Sequence, residues 1–214
     1  MRLKNKGFIT VAFLLFTVLY FPSKCNAQRL PDENYNFIKD DAQNGLIFGT
    51  VTFPKDKMKY DMYFLEVAYV SSDKKMQRRN SSKIKINPTM FIKKHIGELD
   101  EGRTYLFAIE KPIGNYSICW LRLSTLKMMQ YVSNDTDLTG FSIPFTVNKG
   151  EIKYIGNINI NECALEGEQV ITIKDEFERD KNAINSLPMN VNFNDAVKSD
   201  IKIIIQQPSL NKKE

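Results

Sequence analysis

One histidine, three cysteines and a few clustered acids bound the chemistry open to this 214-residue chain. His95 is the sole histidine, so a zinc site built from several imidazoles cannot form within one chain. A serine–histidine–carboxylate triad would have to use His95, which stands in Lys93-Lys94-His95-Ile96 without a nucleophile turn nearby. It reads as a surface imidazole on a basic strand edge. There is no glycine-rich phosphate loop, and Cys119 and Cys163 are far from a C-x-x-C spacing. Glu98, Asp100 and Glu101 are the local candidates for a two-carboxylate hydrolase, although acids in a turn ending at Gly102 are more simply solvated. Asn134, Asp135, Thr136 and Asp137 offer oxygen ligands of the kind calcium takes, but without the spacing of an EF-hand loop. The expectation is a chain with no catalytic residue, no cofactor and no metal.

Other residues point to binding. The polar run 71–82 is read as the longest charged loop of the interior, and Lys74, Lys75, Arg78 and Arg79 are its candidate interaction residues, since loops carry binding in β folds. Tyr63, Tyr69, Tyr105, Tyr116, Trp120 and Tyr131 could supply an aromatic platform for a glycan or peptide. Half of any such set faces the core, and Trp120, alternating with Ile118, is placed inside by strand parity. Three acceptor patterns for glycans, at Asn80, Asn115 and Asn134, matter only where that machinery exists.

The first 27 residues read as a cleavable export signal. Arg2, Lys4 and Lys6 precede an apolar run from Phe8 to Phe21, shorter than the ~20 residues a spanning helix needs. Pro22 and Ser23 break it, and Cys25-Asn26-Ala27 offers small residues before a cut ahead of Gln28. An alternative is lipidation of Cys25, giving a membrane-anchored lipoprotein, although Pro22 and Lys24 fit that pattern poorly. The chain carries 30 Lys and Arg against 25 Asp and Glu, and four of those cations with no acid fall in residues 1–27. The remainder is nearly neutral, which argues against nucleic acid as a partner. The partner expected is an unknown protein or glycan of the cell envelope, with membrane contact only through the signal or a lipid anchor. The compartment expected is periplasmic or extracellular, where Cys119 and Cys163 become candidates for one disulfide. A plain buried Cys119 remains the other reading.

The elements that would hold these residues are strands. After a loosely ordered segment 28–44, strands are expected over 45–53, 61–70, 83–86, 103–109, 116–123, 141–147, 152–160 and 169–173, with weaker ones at 128–132 and 201–205. Lys111-Pro112-Ile113-Gly114-Asn115 reads as the turn of an antiparallel hairpin, and Asn148 to Glu151 as a second tight turn. Ile152, Tyr154, Ile158 and Ile160 are placed on one face, with Gly156 marking a bulge or a close backbone approach. Asp175 caps a helix over about 176–186, expected to cover one edge or end of the sandwich, and 208–214 is a polar tail. The fold expected is one mainly β domain over 45–207, an antiparallel β-sandwich with a short C-terminal helix.

Lys111-Pro112-Ile113-Gly114-Asn115-Tyr116 resembles the P-x-G-x-Y hairpin of transthyretin-like and carboxypeptidase-regulatory-like β-sandwiches. The stretch FTVNKGEIKYIGNINI is similar to a segment of uncharacterised bacterial envelope proteins. The resemblance is architectural and spans at most Gly45 to Pro188. It implies an adhesion, scaffold or accessory module of transthyretin- or immunoglobulin-like architecture, and brings no catalytic residue. A small-ligand carrier with an internal cavity is a further alternative.

Overall fold

Tyr63, Leu65 and Val67 alternate with Phe64, Glu66 and Ala68 along one strand, and that period of two sorts inside from outside. The computed structural model describes residues 29–32, 35–40, 42–53, 59–87, 96–125, 136–165 and 168–212, the last seven by backbone only. The strands are β1 (Gly45–Thr52), β2 (Met62–Tyr69), β3 (Ser82–Ile86), β4 (Thr104–Lys111), β5 (Gly114–Ser124), β6 (Thr136–Val147), β7 (Ile152–Ile160), β8 (Ile171–Lys174), β9 (Val197–Lys198) and β10 (Ile204–Lys212). They form two five-stranded sheets packed as a β-sandwich, ordered β10-β6-β5-β2-β3 and β4-β1-β7-β8 with β9 beside β7. We call these the open and the middle sheet.

The first sheet is wholly antiparallel, as expected, but the second is mixed, because β7 runs parallel to both β1 and β9. Between the sheets lies a core that includes Ile47, Val51, Phe53, Tyr63, Leu65, Phe107, Ile118, Leu121, Ile143 and Ile158. The other face of the middle sheet is also buried. Leu46, Phe48, Leu106, Ile152 and Tyr154 pack there against Phe177 and Ile184 of helix α2 (Phe177–Asn185), with Phe193 and Phe37. The helix therefore covers a sheet face rather than an edge. Asp175 Oδ1 accepts from the Phe177 N–H at 3.1 Å, a local turn just before the helix; the N-cap itself is Glu176, whose side chain makes no capping bond, so the cap expected at Asp175 falls one residue early.

Both connectors, the one read as a hairpin and the one read as a tight turn, carry the chain from one sheet to the other. β4 pairs with β1 in the middle sheet while β5 pairs with β2 and β6 in the open sheet, so Pro112 and Ile113 form a crossing. Tyr116 Oη donates to the Pro112 carbonyl at 2.8 Å, and Gly114, at φ +151°, lies against the Tyr69 ring, where a Cβ would sit 2.4 Å from Cε2. The Asn148–Glu151 turn likewise joins β6 of the open sheet to β7 of the middle one.

Three further expectations are corrected. The 71–82 run is not all loop, since Asp73 Oδ1 accepts from the N–H groups of Lys75 and Met76 and starts helix α1 (Lys74–Asn80). Within the segment expected to be loose, Arg29 donates to Glu98 (2.6 Å) and to the Leu106 carbonyl (2.8 Å), and Phe37 is buried in the second core. The tail continues as strand: β10 pairs with β6 as far as Lys212, across a register break between Ile205 and Ser209. The 128–132 strand, and most of the segment between Pro88 and Ile96, lie outside the described residues.

Candidate binding face

Strand parity puts Phe64 and Glu66 of β2, and Lys83 and Lys85 of β3, on the outer side of the open sheet. On β5 parity breaks. Glu66 pairs with Trp120 but Val67 pairs with Ile118, so Cys119 is an extra, unmatched residue. Before this bulge Tyr116 and Ile118 face the core; after it Leu121 and Leu123 do. Trp120 and Arg122 are thereby turned outward, which corrects the placement of Trp120 inside.

Two cross-strand rows result. Lys83, Glu66 and Trp120 lie abreast, and beside them run Lys85, Phe64, Arg122 and Asp137. Arg122 grips Asp137 with two bonds, Nε to Oδ1 at 2.9 Å and Nη2 to Oδ2 at 3.2 Å. Its guanidinium lies 4.6 Å from the Trp120 ring centroid, with the Lys83 ammonium at 4.8 Å, while the Lys85 ammonium lies 5.7 Å from the Phe64 centroid. The rings act as pedestals that restrict these long cationic side chains. Glu66 and Asp137 add carboxylate acceptors among the cations.

The other aromatics do not join this face. Tyr63, Tyr105 and Tyr116 are buried in the core and Tyr69 packs partly against it; Tyr131 lies outside the described residues. Burial pushes the hydroxyls of Tyr63, Tyr105 and Tyr116 far above the ordinary tyrosine range.

The carboxylate candidates are separated into private partnerships. Glu98 holds Arg29 and accepts the Leu106 N–H at 2.9 Å, while Asp100 accepts from Thr104 Oγ1 (2.6 Å) and Arg179 (3.1 Å). Asp100, Glu101 and Gly102 all have positive φ, a tight corner for which Gly102 supplies the one glycine. Asp137 is taken by Arg122, and Asp135 and His95 lie outside the described residues. Among the described residues no three His, Cys, Asp or Glu side chains gather as a metal site.

One acid went unnoticed in the sequence. Asp180, on α2, is fully buried against the middle sheet, where it accepts from Thr50 Oγ1 (2.6 Å), Tyr154 Oη (2.8 Å) and Arg179 Nε (2.8 Å). Burial pushes its carboxyl up while these donors pull it back. Asn157 extends the network by donating to Thr50 and Thr52. Every contact at Asp180 comes from a donor, so the cluster serves to dock α2. A helical acid followed by apolar spacing gave no signal of this, because Tyr154 and Thr50, which hold it against the sheet, are 26 and 130 residues away.

Cys119 and Cys163 are free thiols, so the disulfide considered from sequence is not formed. Cys119 sits half-buried at the bulge of the open sheet, its thiol pushed up by burial and by Glu66, whereas Cys163 is exposed in the turn after β7 of the middle sheet. Cys25 lies outside the described residues, and among those described no helix is long and apolar enough to cross a membrane.

A groove of about 630 Å³ opens at the surface of the sandwich, between β5–β6 and the stretch 198–202. Its three lysines are already matched: Lys153 to Glu151 and Lys198 to Asp175, each at 2.8 Å, and Lys202 to Asp200.

No protein-family model and no curated protein matches this chain. Among solved structures, a leucine-rich repeat protein from Bacteroides thetaiotaomicron aligns at 12% identity and a TM-score of 0.32, over 69% of this chain and 16% of that one. At that level the likeness carries no argument for fold or function.

Proposed function

We propose that this chain is an exported, non-enzymatic module of the cell envelope that binds a partner through the outer face of its open sheet. The observation that carries this reading is an asymmetry between the two sheets. The middle sheet is buried on both faces, by the sandwich core and by α2. The outer face of the open sheet instead presents Phe64 and Trp120 among Lys83, Glu66, Lys85, Arg122 and Asp137. Aromatic rings with arginine are enriched where surfaces recognise partners. The basic run 1–27 and the apolar segment within it support export, and the resemblance to transthyretin-like envelope domains supports an accessory rather than a catalytic role.

The test is a binding screen of the purified protein against immobilised glycans and purified envelope proteins. Phe64→Ser with Trp120→Ser is expected to abolish whatever binding the native protein shows. A control on the exposed side of α2, Glu178→Ala, is expected to bind normally. Binding that survives the double substitution and is lost in the control would overturn the proposal.

A further inference from the structure

The short helix α1 carries its four cations against its own stability. Lys74 with Arg78, and Lys75 with Arg79, are i,i+4 like-charge pairs, and each such pair is destabilising. Lys74 and Lys75 also stand in the first turn, where the helix dipole disfavours positive charge and where no acid is present. All four are exposed, and none has an ion-pair partner among the described residues. On a helix of 3.6 residues per turn they fall within an arc of about 140°, so they form one surface rather than a collar. Asp73, the one adjacent acid, is engaged in capping.

The helix lies in the β2–β3 connection, tied to the sheet by Ser81 Oγ accepting from the Tyr69 N–H at 2.9 Å. The chain leaves it directly into β3, where Lys83 and Lys85 face outward. Lys83 and Lys85 stand in the Trp120–Arg122 rows, with Glu66 and Asp137 set among them, and α1 brings four more cations immediately before them in the chain.

We infer that this surface binds an acidic glycan, a polysaccharide whose sugars carry carboxylate or sulfate groups. The inference rests on the reading of the open sheet as the binding face and names its ligand class. The anionic groups of such a chain pair with α1, Lys83 and Lys85. Its hydroxyls donate to Glu66, an acceptor that a hydroxyl-rich ligand uses and that repels a phosphodiester backbone. A duplex presents about one negative charge per 1.7 Å of axis and suits an unbroken basic surface. A face that interleaves acids with cations suits charges spaced out among hydroxyls. An anionic membrane is disfavoured because Met76 is the one apolar side chain α1 offers, short of what insertion at an interface needs.

The experiment measures binding of the purified protein to immobilised polygalacturonate and heparin, with dextran and a short DNA duplex as comparisons. Polygalacturonate or heparin is expected to bind and dextran not to bind. Affinity should fall about tenfold or more between about 50 and 200 mM salt. Reversal of the exposed charges by Lys74→Glu, Lys75→Glu, Arg78→Glu and Arg79→Glu should weaken binding more than about tenfold with little change in melting temperature. Lys83→Gln should give a smaller loss. Equal or tighter binding to DNA would overturn the inference, as would charge-reversed protein that binds normally. Dextran bound as well as the acidic chains, and lost on Phe64→Ser, would refute the ligand class while leaving the binding face standing.

Discussion

Lys111→Met is expected to stabilise this protein, although the lysine is among its most buried residues. Lys111 closes β4 with 4% of its surface exposed. Its ammonium donates to Ser82 Oγ at 2.9 Å and lies 5.5 Å from the Tyr116 ring centroid, with no acid as partner among the described residues. Burial lowers its pKa from 10.5 to about 8. That difference corresponds to about 3.4 kcal/mol lost by holding the charged form in the fold. Methionine fills similar space without the charge. Loss of the ring contact and of the Ser82 bond offsets about 1 kcal/mol each, which leaves a gain of about 1.5 kcal/mol at neutral pH. The sign of the pH dependence follows from a depressed lysine. Below pH 8 both states are protonated and the penalty is complete; between about 8 and 10 the unfolded chain holds more protons, so stability rises with pH. Above about 10 the buried tyrosines reverse the trend, because they ionise in the unfolded chain first. Urea unfolding at pH 7, 8 and 9 should show the variant's advantage over the native protein shrinking as pH rises, a comparison in which the tyrosines and Cys119 cancel. A variant less stable than native at pH 7, or an advantage that does not shrink between pH 8 and 9, would refute the reasoning.

Trp120→Ala is expected to lower stability by less than about 1.5 kcal/mol in urea melts, against the 3–5 kcal/mol typical of a core aromatic, because the bulge at Cys119 turns the ring outward. Gly49→Ala places a Cβ 2.4 Å from the Gly156 carbonyl and 2.9 Å from Phe107 Cζ, and should cost about 3 kcal/mol by the same assay. Asp180→Asn weakens the hold on Arg179, which is partly exposed and also paired with Asp100, and should cost about 1–3 kcal/mol, with faster amide exchange in α2 as its specific mark. In thiol labelling without reductant, Cys163 should react quickly and Cys119 slowly, and a failure of both to react would restore the disulfide. Intact mass of protein recovered from cells should begin at Gln28. An acylated Cys25 would instead make it a lipid-anchored protein.

Much of the strand inventory was legible because it is a local property. Runs such as 61–70 and 152–160 alternate or concentrate β-branched and aromatic residues, and they became β2 and β7 with at most small shifts at their ends. The helix after Asp175 was legible for the same reason, since the polar turn at Asp175 and the helix it precedes are neighbours in the chain. Less was legible of the binding face. Phe64, Glu66, Lys83 and Lys85 follow strict alternation, but nothing in the order of residues says which sheet will be left uncovered.

Gly156 and Cys119 show where local reasoning stops. Phe48 pairs with Tyr154 and Thr50 with Asn157, so Gly156, at φ +113°, is an extra residue in β7. Ile152 and Tyr154 therefore face α2 while Ile158 and Ile160 face the sandwich core, although uniform parity puts all four together. A bulge is a disagreement in length between two strands far apart in sequence, so one strand read alone cannot reveal it. The turns at Pro112 and Gly150 pose the same problem, since their residues specify a reversal equally well for a hairpin or for a crossing between sheets. The sequence by itself determined that these segments are strands, where they end and what alternates along them. The tertiary structure decided which strands pair, which face each residue takes and which sheet face no described element covers, because those outcomes depend on burying surface against partners far away in the chain.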